Sequence, residues 1–324
     1  MTKKLTWGII GAGGIAGTFA ENLAHAKWGT KGAVGSRSLA KAQAFAAQHG
    51  FAKAYGSYQD LLADAEIDAV YVATPHPLHR EPVLAAAAAG KHILCEKPLG
   101  VTPAECEEMI AAAEKAGVVL LEAFMYRTHP QTQRLGEIVA DGAIGDLRAI
   151  RSSFCYGLGS DYNVRIDPNL RGGGLYDVGC YCINFSRMLA GQEPDDIAAV
   201  WTLGAETGVD ETLAVSLHFP SGLVALFDVG IRSAGSSQAE LLGTQGSIFV
   251  PQPWKPAPDH AGFIVRRQGQ PEEVIAVDQG GYIYALEADH LAQVVAGQAE
   301  PVIPAANAVG NAAVLDTIWQ RIHG

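Results

Sequence analysis

The stretch Leu5-Thr6-Trp7-Gly8-Ile9-Ile10-Gly11-Ala12-Gly13-Gly14-Ile15-Ala16 decides the fold. A strand-like run, Leu5 to Ile10, meets the pattern Gly11-x-Gly13-x-x-Ala16, and a helix-like segment continues from Ile15 to Ala26. This is the fingerprint of a loop that cradles a dinucleotide. Gly11 permits the tight turn, Gly13 lets the backbone approach a pyrophosphate, and Ala16 lets the helix pack closely on the strand. Gly14 and Ile15, at the helix start, join Gly11 and Gly13 as expected cofactor contacts.

Working outward, strands and helices alternate. Gly32–Gly35 reads as strand, Leu39–Gln48 as helix, Ala69–Ala73 as strand and His79–Ala89 as helix. His92–Cys95 is again strand, Pro103–Ala116 helix and Val118–Leu121 strand. That alternation predicts right-handed βαβ units, hence a doubly wound, Rossmann-type parallel sheet over residues 1–122.

After residue 123 the pattern changes. A helix near Gln131–Ala140 and a strand near Leu147–Phe154 lead to a polar loop, and Gly172-Gly173-Gly174 opens a helix over Leu175–Ala190. About six strand-like runs then follow between Ile197 and Val277, with turn signals but no helices between them. Helices near Tyr284–Ala296 and Ala305–His323 close the chain. The expectation is an α/β protein whose second, α+β domain spans residues 123–324, carries an open and mainly antiparallel sheet, and serves substrate binding and oligomerisation.

The end of the second strand selects the cofactor. An NAD site places Asp or Glu about 20 residues beyond the glycines, to bind the ribose 2′-hydroxyl. Here the position reads Gly35-Ser36-Arg37-Ser38, with Lys41 one helical turn on, and no acid lies between Glu21 and Asp60. Ser36, Arg37 and Lys41 suit a 2′-phosphate, so NADP(H) is the expected cofactor.

Two further strand ends face the same crevice, because ligands of open parallel sheets bind beyond the carboxyl ends of the strands. One carries Thr74, Pro75, His76 and His79; the other ends in Glu96-Lys97-Pro98, which aims Lys97 at the ligand. His76 and His79 lack a third ligand, so no metal is expected, and Thr74, Pro75 and His79 are read as cofactor-side residues or a helix cap. In the second domain, Asp177 and Tyr181 stand four apart on one face of an otherwise apolar helix, with Asn184 a turn further. The loop from Gly157 to Arg171 offers hydroxyl-binding groups in Ser160, Asp161, Tyr162, Asn163, Arg165, Asp167 and Arg171.

Composition sets bounds on partners. A net charge of −11 over 324 residues argues against nucleic acid or anionic membrane. Cys95, Cys106, Cys155, Cys180 and Cys182 lack zinc-type spacing and read as free thiols of a reducing compartment. Lys3-Lys4, an apolar run and Ala24-His25-Ala26 mimic a secretion signal, but the glycines of that run suit a phosphate loop better. A cytoplasmic, unprocessed protein is expected. A sheet of this size with few helices to cover it predicts a homodimer or larger homo-oligomer.

These residues together resemble the Gfo/Idh/MocA family of NAD(P)-dependent oxidoreductases. The resemblance runs through the glycine loop, Ser36-Arg37, Ala73-Thr74-Pro75, Glu96-Lys97-Pro98, Glu122 to Arg127 and Gly172 to Tyr181. It points to the branch with glucose–fructose oxidoreductase, dimeric dihydrodiol dehydrogenase and NADP-dependent sugar dehydrogenases. It implies that Lys97 and Tyr181 form a catalytic pair beside Asp177, and that Glu96 and Arg127 hold the nicotinamide end. Arg165 and Asp167 join Lys97, Asp177 and Tyr181 as implied substrate contacts. The implied activity is hydride transfer between NADP(H) and a hydroxyl-bearing carbon of a sugar or related polyol, an aldose C1 first or a trans-dihydrodiol. The alternatives are a non-catalytic dinucleotide-binding regulator and a nicotinamide-dependent glycoside hydrolase on the same fold.

Overall fold

The computed structural model describes residues 2–159, 163–256 and 261–324; Ser160, Asp161 and Tyr162, named above as hydroxyl-binding groups, lie outside the described residues. The described chain divides into two compact units, residues 1–128 with 280–312 and residues 129–279 with 313–324.

In the first unit, β1 (Leu5–Ile10), β2 (Gly29–Gly35), β3 (Lys53–Tyr55), β4 (Ala69–Val72), β5 (His92–Glu96) and β6 (Leu120–Ala123) form one sheet in the order β3-β2-β1-β4-β5-β6. Every pairing in it is parallel. The order reverses between β2 and β4, on either side of β1, which creates a crevice at the carboxyl end of β1. The helices of this unit are α1 (Gly14–Leu23), α2 (Leu39–His49), α3 (Tyr58–Leu62), α4 (Arg80–Ala88), α5 (Pro103–Ala116) and α6 (Met125–Thr128). Packing on the sheet is dense and partly aromatic: on α1, Phe19 stacks on Tyr71 at 3.9 Å and meets Trp7 edge-on at 5.2 Å, all fully buried. The fold class expected from the alternation of strands and helices is the one observed. The short elements β3 and α3 were not anticipated; three residues of intermediate burial give no apolar run to read.

The second unit begins with α7 (Pro130–Ala140) and β7 (Leu147–Gly157), and continues after a five-residue π-helical turn, Leu175–Gly179, with α8 (Cys180–Ala190). Then come β8 (Asp196–Leu203), β9 (Asp210–His218), β10 (Val224–Gly230), β11 (Arg232–Gly243), β12 (Gly246–Val250), β13 (Gly262–Arg267) and β14 (Glu273–Ala276). The sheet order is β14-β13-β12-β11-β7-β10-β9-β8, and only β10 with β7 pairs in parallel. On β9, Leu213, Val215 and Leu217 are buried while Thr212, Ala214 and His218 are exposed, the alternation of a sheet covered on one face.

The remaining helices are α9 (Ile283–Val295) and α10 (Asn307–His323). They place the boundaries elsewhere than a single cut at 122/123. α9 buries Tyr284, Ala285, Ala288, Leu291 and Ala292 and packs on α1 and α6, so residues 280–312 belong with the parallel sheet. Sequence neighbours suggest a contiguous second domain; burial of this apolar face assigns the segment to the first unit. A second difference is the start of the helix expected over Leu175–Ala190, whose first turn is π rather than α.

Candidate active site

The glycine loop builds an anion cradle. Gly11 has φ +102°, and a β-carbon there would sit 3.0 Å from the Ala73 carbonyl, so the turn both permits and needs glycine. Gly13 and Gly14 are exposed and a β-carbon on either would meet nothing within 4 Å. α1 starts at Gly14 without a side-chain cap or an acid in its first turn, which leaves its amides for a phosphate. The chain therefore fits a pyrophosphate here.

At the end of β2, Ser36 is buried and its hydroxyl accepts from the Ser38 amide at 3.3 Å. Ser38 caps α2 by accepting from the Lys41 amide. Arg37 and Lys41 are exposed, and neither enters a salt bridge recorded among the described residues. A hydroxyl, two cations and no acid form a place for a doubly charged phosphate.

The two neighbouring strand ends are clasped by His79. Its Nε2 lies 2.8 Å from the Thr74 carbonyl and its Nδ1 3.0 Å from the Pro98 carbonyl. Burial pulls its pKa down to about 4, and the neutral ring carries one N–H, so its tautomer decides which of the two carbonyls receives the hydrogen bond. With a backbone carbonyl at each ring nitrogen, buried His79 packs between the Thr74 loop and the Lys97-Pro98 loop. Thr74 donates to the Leu78 carbonyl, and Pro75 leads into a short 3₁₀ turn, His76–Leu78.

Glu96 is buried, accepts from the Tyr71 hydroxyl, and receives the Lys97 amide at 3.2 Å. Lys97 itself is half-buried at the end of β5. Glu287 on α9 is a buried acid whose pKa is raised by burial and by the charge of Glu96. Arg127, nearly buried, donates to the Val302 carbonyl at 3.4 Å.

A separate polar cluster forms in the second unit. Asp177 in the π-helical turn pairs with Arg165 at 2.8 Å through Oδ1, and its Oδ2 accepts from the Tyr156 hydroxyl. The carboxylate holds the Arg165 guanidinium charged, while burial and the same carboxylate push the Tyr156 phenol up. Arg165 is also within electrostatic reach of Tyr181. The Tyr181 ring, nearly buried, meets Phe154 at 5.3 Å and Trp254 at 6.0 Å, both edge-on, so the ring packs in an apolar wall. Asn184 is fully buried on the same helix.

Asp167 caps the short turn before the glycines by accepting from the Asn169 amide at 2.9 Å, and its carbonyl receives the Gly172 amide. Arg171 is turned onto Tyr176, whose hydroxyl accepts from it at 2.7 Å, and lies over the Trp319 ring. That placement gives Arg171 a packing role.

Tyr156, Phe154 and Trp254 were not singled out by sequence. Phe154 and Tyr156 are two apart on β7 and share a face, which was a usable signal at a strand end. Trp254 lies in a proline-rich turn without periodicity and gave none. Among the described residues no group of three or more His, Cys, Asp or Glu side chains is arranged to hold a metal, and no helix is long and apolar enough to cross a membrane.

Comparisons with known proteins agree with the fold. The profile described as an oxidoreductase family with an NAD-binding Rossmann fold matches residues 5–124, and the GFO/IDH/MocA C-terminal domain matches residues 132–249. Trans-1,2-dihydrobenzene-1,2-diol dehydrogenase of Mus musculus is 38% identical over 98% of this chain and 97% of its own. The enzyme of that name from Xenopus tropicalis is 35% identical over 98% and 97%. Among solved structures, aldose-aldose oxidoreductase from Caulobacter crescentus, complexed with glycerol, superposes with a TM-score of 0.89 at 26% identity, covering 98% of both chains. A 3-ketoreductase from Actinomadura kijaniata, solved with NADP and TDP-benzene, gives the same TM-score, identity and coverage. With both halves matched in order and dehydrogenases aligned end to end, the chain belongs to the Gfo/Idh/MocA family of oxidoreductases.

Proposed function

We propose that the protein is an NADP(H)-dependent dehydrogenase that oxidises a ring carbon bearing a hydroxyl, in an aldopyranose or a trans-dihydrodiol. The observation that carries the reading is the second-unit cluster: a phenol, Tyr181, in an apolar wall, with the Arg165 guanidinium in electrostatic reach and Asp177 fixing that guanidinium. A sensor of dinucleotide needs the glycine loop but not such a group. NADP supplies the hydride acceptor when bound, with the Gly11–Ile15 loop and the Ser36, Arg37 and Lys41 corner as its holders. Tyr181 takes the hydroxyl proton as the carbonyl forms, and returns it in the reverse direction. Arg165 favours the phenolate, and the rings of Phe154 and Trp254 keep water from it. Lys97 donates to the reacting oxygen and adds a second positive charge, Glu96 orients Lys97 through its backbone, and Asp167 shapes the loop that bears Arg165.

The relatives named for dihydrodiol and for aldose chemistry share a six-membered ring with neighbouring hydroxyls, which is the substrate class assigned here. Incubation with NADP+ and a panel of aldopyranoses and cyclic trans-diols, followed at the absorbance of the reduced cofactor, tests it; no reduction with any member would refute the reading.

Cofactor choice is testable alone. Arg37→Ala is expected to raise KM for NADP(H) about 10- to 150-fold, the worth of one lost charge-assisted hydrogen bond, and to leave KM for NAD(H) nearly unchanged. Equal effects on both cofactors would exclude a 2′-phosphate contact.

The open face of the second unit's sheet exposes Val200 on β8 and Leu226 on β10, with Val200 at 70%. This apolar face fits a second copy of the chain, and light scattering at micromolar concentration is expected to report at least twice the 34.1 kDa chain mass. A monomer would overturn the assignment. The free state of all five cysteines suits the cytoplasm.

A further inference from the structure

The segment Gly172–Gly174 runs between two backbones and one carboxylate. The Gly172 amide donates to the Asp167 carbonyl at 3.0 Å, and the Gly173 amide to the Arg165 carbonyl at 2.8 Å. On the other side stands Asp210, the first residue of β9 and fully buried. Its Oδ2 accepts from the Leu175 amide at 2.7 Å, at the entry to the π-helical turn that carries Asp177. A β-carbon on Gly173, where φ is +115°, would come 2.0 Å from Asp210 Oδ1, and one on Gly172 would come 2.6 Å from the Arg165 carbonyl. Glycine at both places is what lets the loop, the turn and the carboxylate lie this close.

We propose that Asp210 is a positioning residue for the acid–base cluster, its carboxylate fixing the entry of the π-helical turn so that Asp177 meets Arg165 and Tyr181 keeps its place. It touches neither substrate nor cofactor in this role. This buried acid at a strand start reaches an amide 35 positions earlier: its Oδ2 accepts from the Leu175 amide, while its Oδ1 has no hydrogen-bond partner among the described residues. Such a carboxylate is costly to bury and is explained by what it holds. The proposal rests on the reading of Tyr181 as the acid–base group, with Asp177 holding Arg165.

Asp210→Ala and Asp210→Asn test it together with Tyr181→Phe. Loss of the acceptor lets the turn shift, and a misplacement of about 1 Å costs about 10² in rate. In Asp210→Ala, kcat is expected to fall about 10- to 100-fold while the NADP dissociation constant stays within about twofold. Asp210→Asn retains an oxygen able to accept from Leu175 and is expected to restore most of that loss. A folded Asp210→Ala with near wild-type kcat would overturn the proposal, as would equal losses in both variants that follow only their melting temperatures. If Asp210→Ala does not fold, Asp210→Asn decides: faster exchange of the Leu175 amide must accompany any fall in kcat, and a change in one without the other overturns the assignment. Should Tyr181→Phe itself leave turnover intact, the underlying reading fails; should Tyr181→Phe be inactive and Asp210→Ala active, only the positioning role fails.

Discussion

Tyr181→Phe is expected to lower kcat by about 10²–10⁴ while leaving NADP(H) affinity within about twofold. The substitution removes one oxygen and keeps the ring that meets Phe154 and Trp254, so packing survives and the effect is chemical. An unperturbed phenol, with a pKa near 10, is a poor base at neutral pH. Arg165 provides a fixed positive charge in electrostatic reach, and the Asp177 carboxylate beside Arg165 works against phenolate formation while keeping the guanidinium in place. The check is single-turnover kinetics on the true substrate, where chemistry is isolated from release. Retention of more than about a tenth of wild-type turnover would remove Tyr181 from the acid–base role.

Lys97→Met should have the second largest effect. On the proposed pairing of Lys97 with Tyr181, an ammonium about 4 Å from a phenolate, at an effective dielectric near 20, would stabilise it by up to about 4 kcal/mol, or about 10³ in equilibrium. Removal of that charge raises the phenol pKa. In the oxidation direction, activity rises with pH as the phenol ionises, so the rise moves to higher pH; in reduction the alkaline fall moves the same way. A kcat loss of about 10²–10³ at neutral pH, partly recovered at high pH, is the expected result. Loss that is uniform across pH would restrict Lys97 to hydrogen bonding, and wild-type activity would remove it from the site. Methionine keeps the unbranched stem of this half-buried residue, and the Lys97 amide bond to Glu96 is backbone and persists.

Much of the fold was readable before any coordinates. The apolar runs of the parallel sheet are short and fully buried, so β1 and α5 are observed at the residues expected from the sequence, and neighbouring elements within a few. Strands in this setting need no alternation to be recognised. Where burial is partial the signal weakened, as in β3, and where an element joins a distant partner the sequence showed the helix but not the unit it packs in, as with α9. The site shows the same division. Glycines, the Ser36–Arg37 corner and Lys97 stand at strand ends, where position alone suggests a use. Asp210 and Tyr156 act through partners 35 and 21 positions away, and no local pattern announces such pairs. The π-helical turn was invisible for a related reason, since a single five-residue turn bonded i→i+5 is too short to set a periodicity of its own.

The split of the first unit has a consequence for synthesis. Its parallel sheet is complete by residue 123, yet α9, which covers part of α1 and α6, emerges only after residues 129–279 have been made. At about 5–20 residues per second, those roughly 150 residues take about 8–30 s to translate. Through that interval the nascent cofactor half presents the apolar surface that Leu291 and Ala292 later cover, and the ribosome holds a fold that closes only when the last helices arrive.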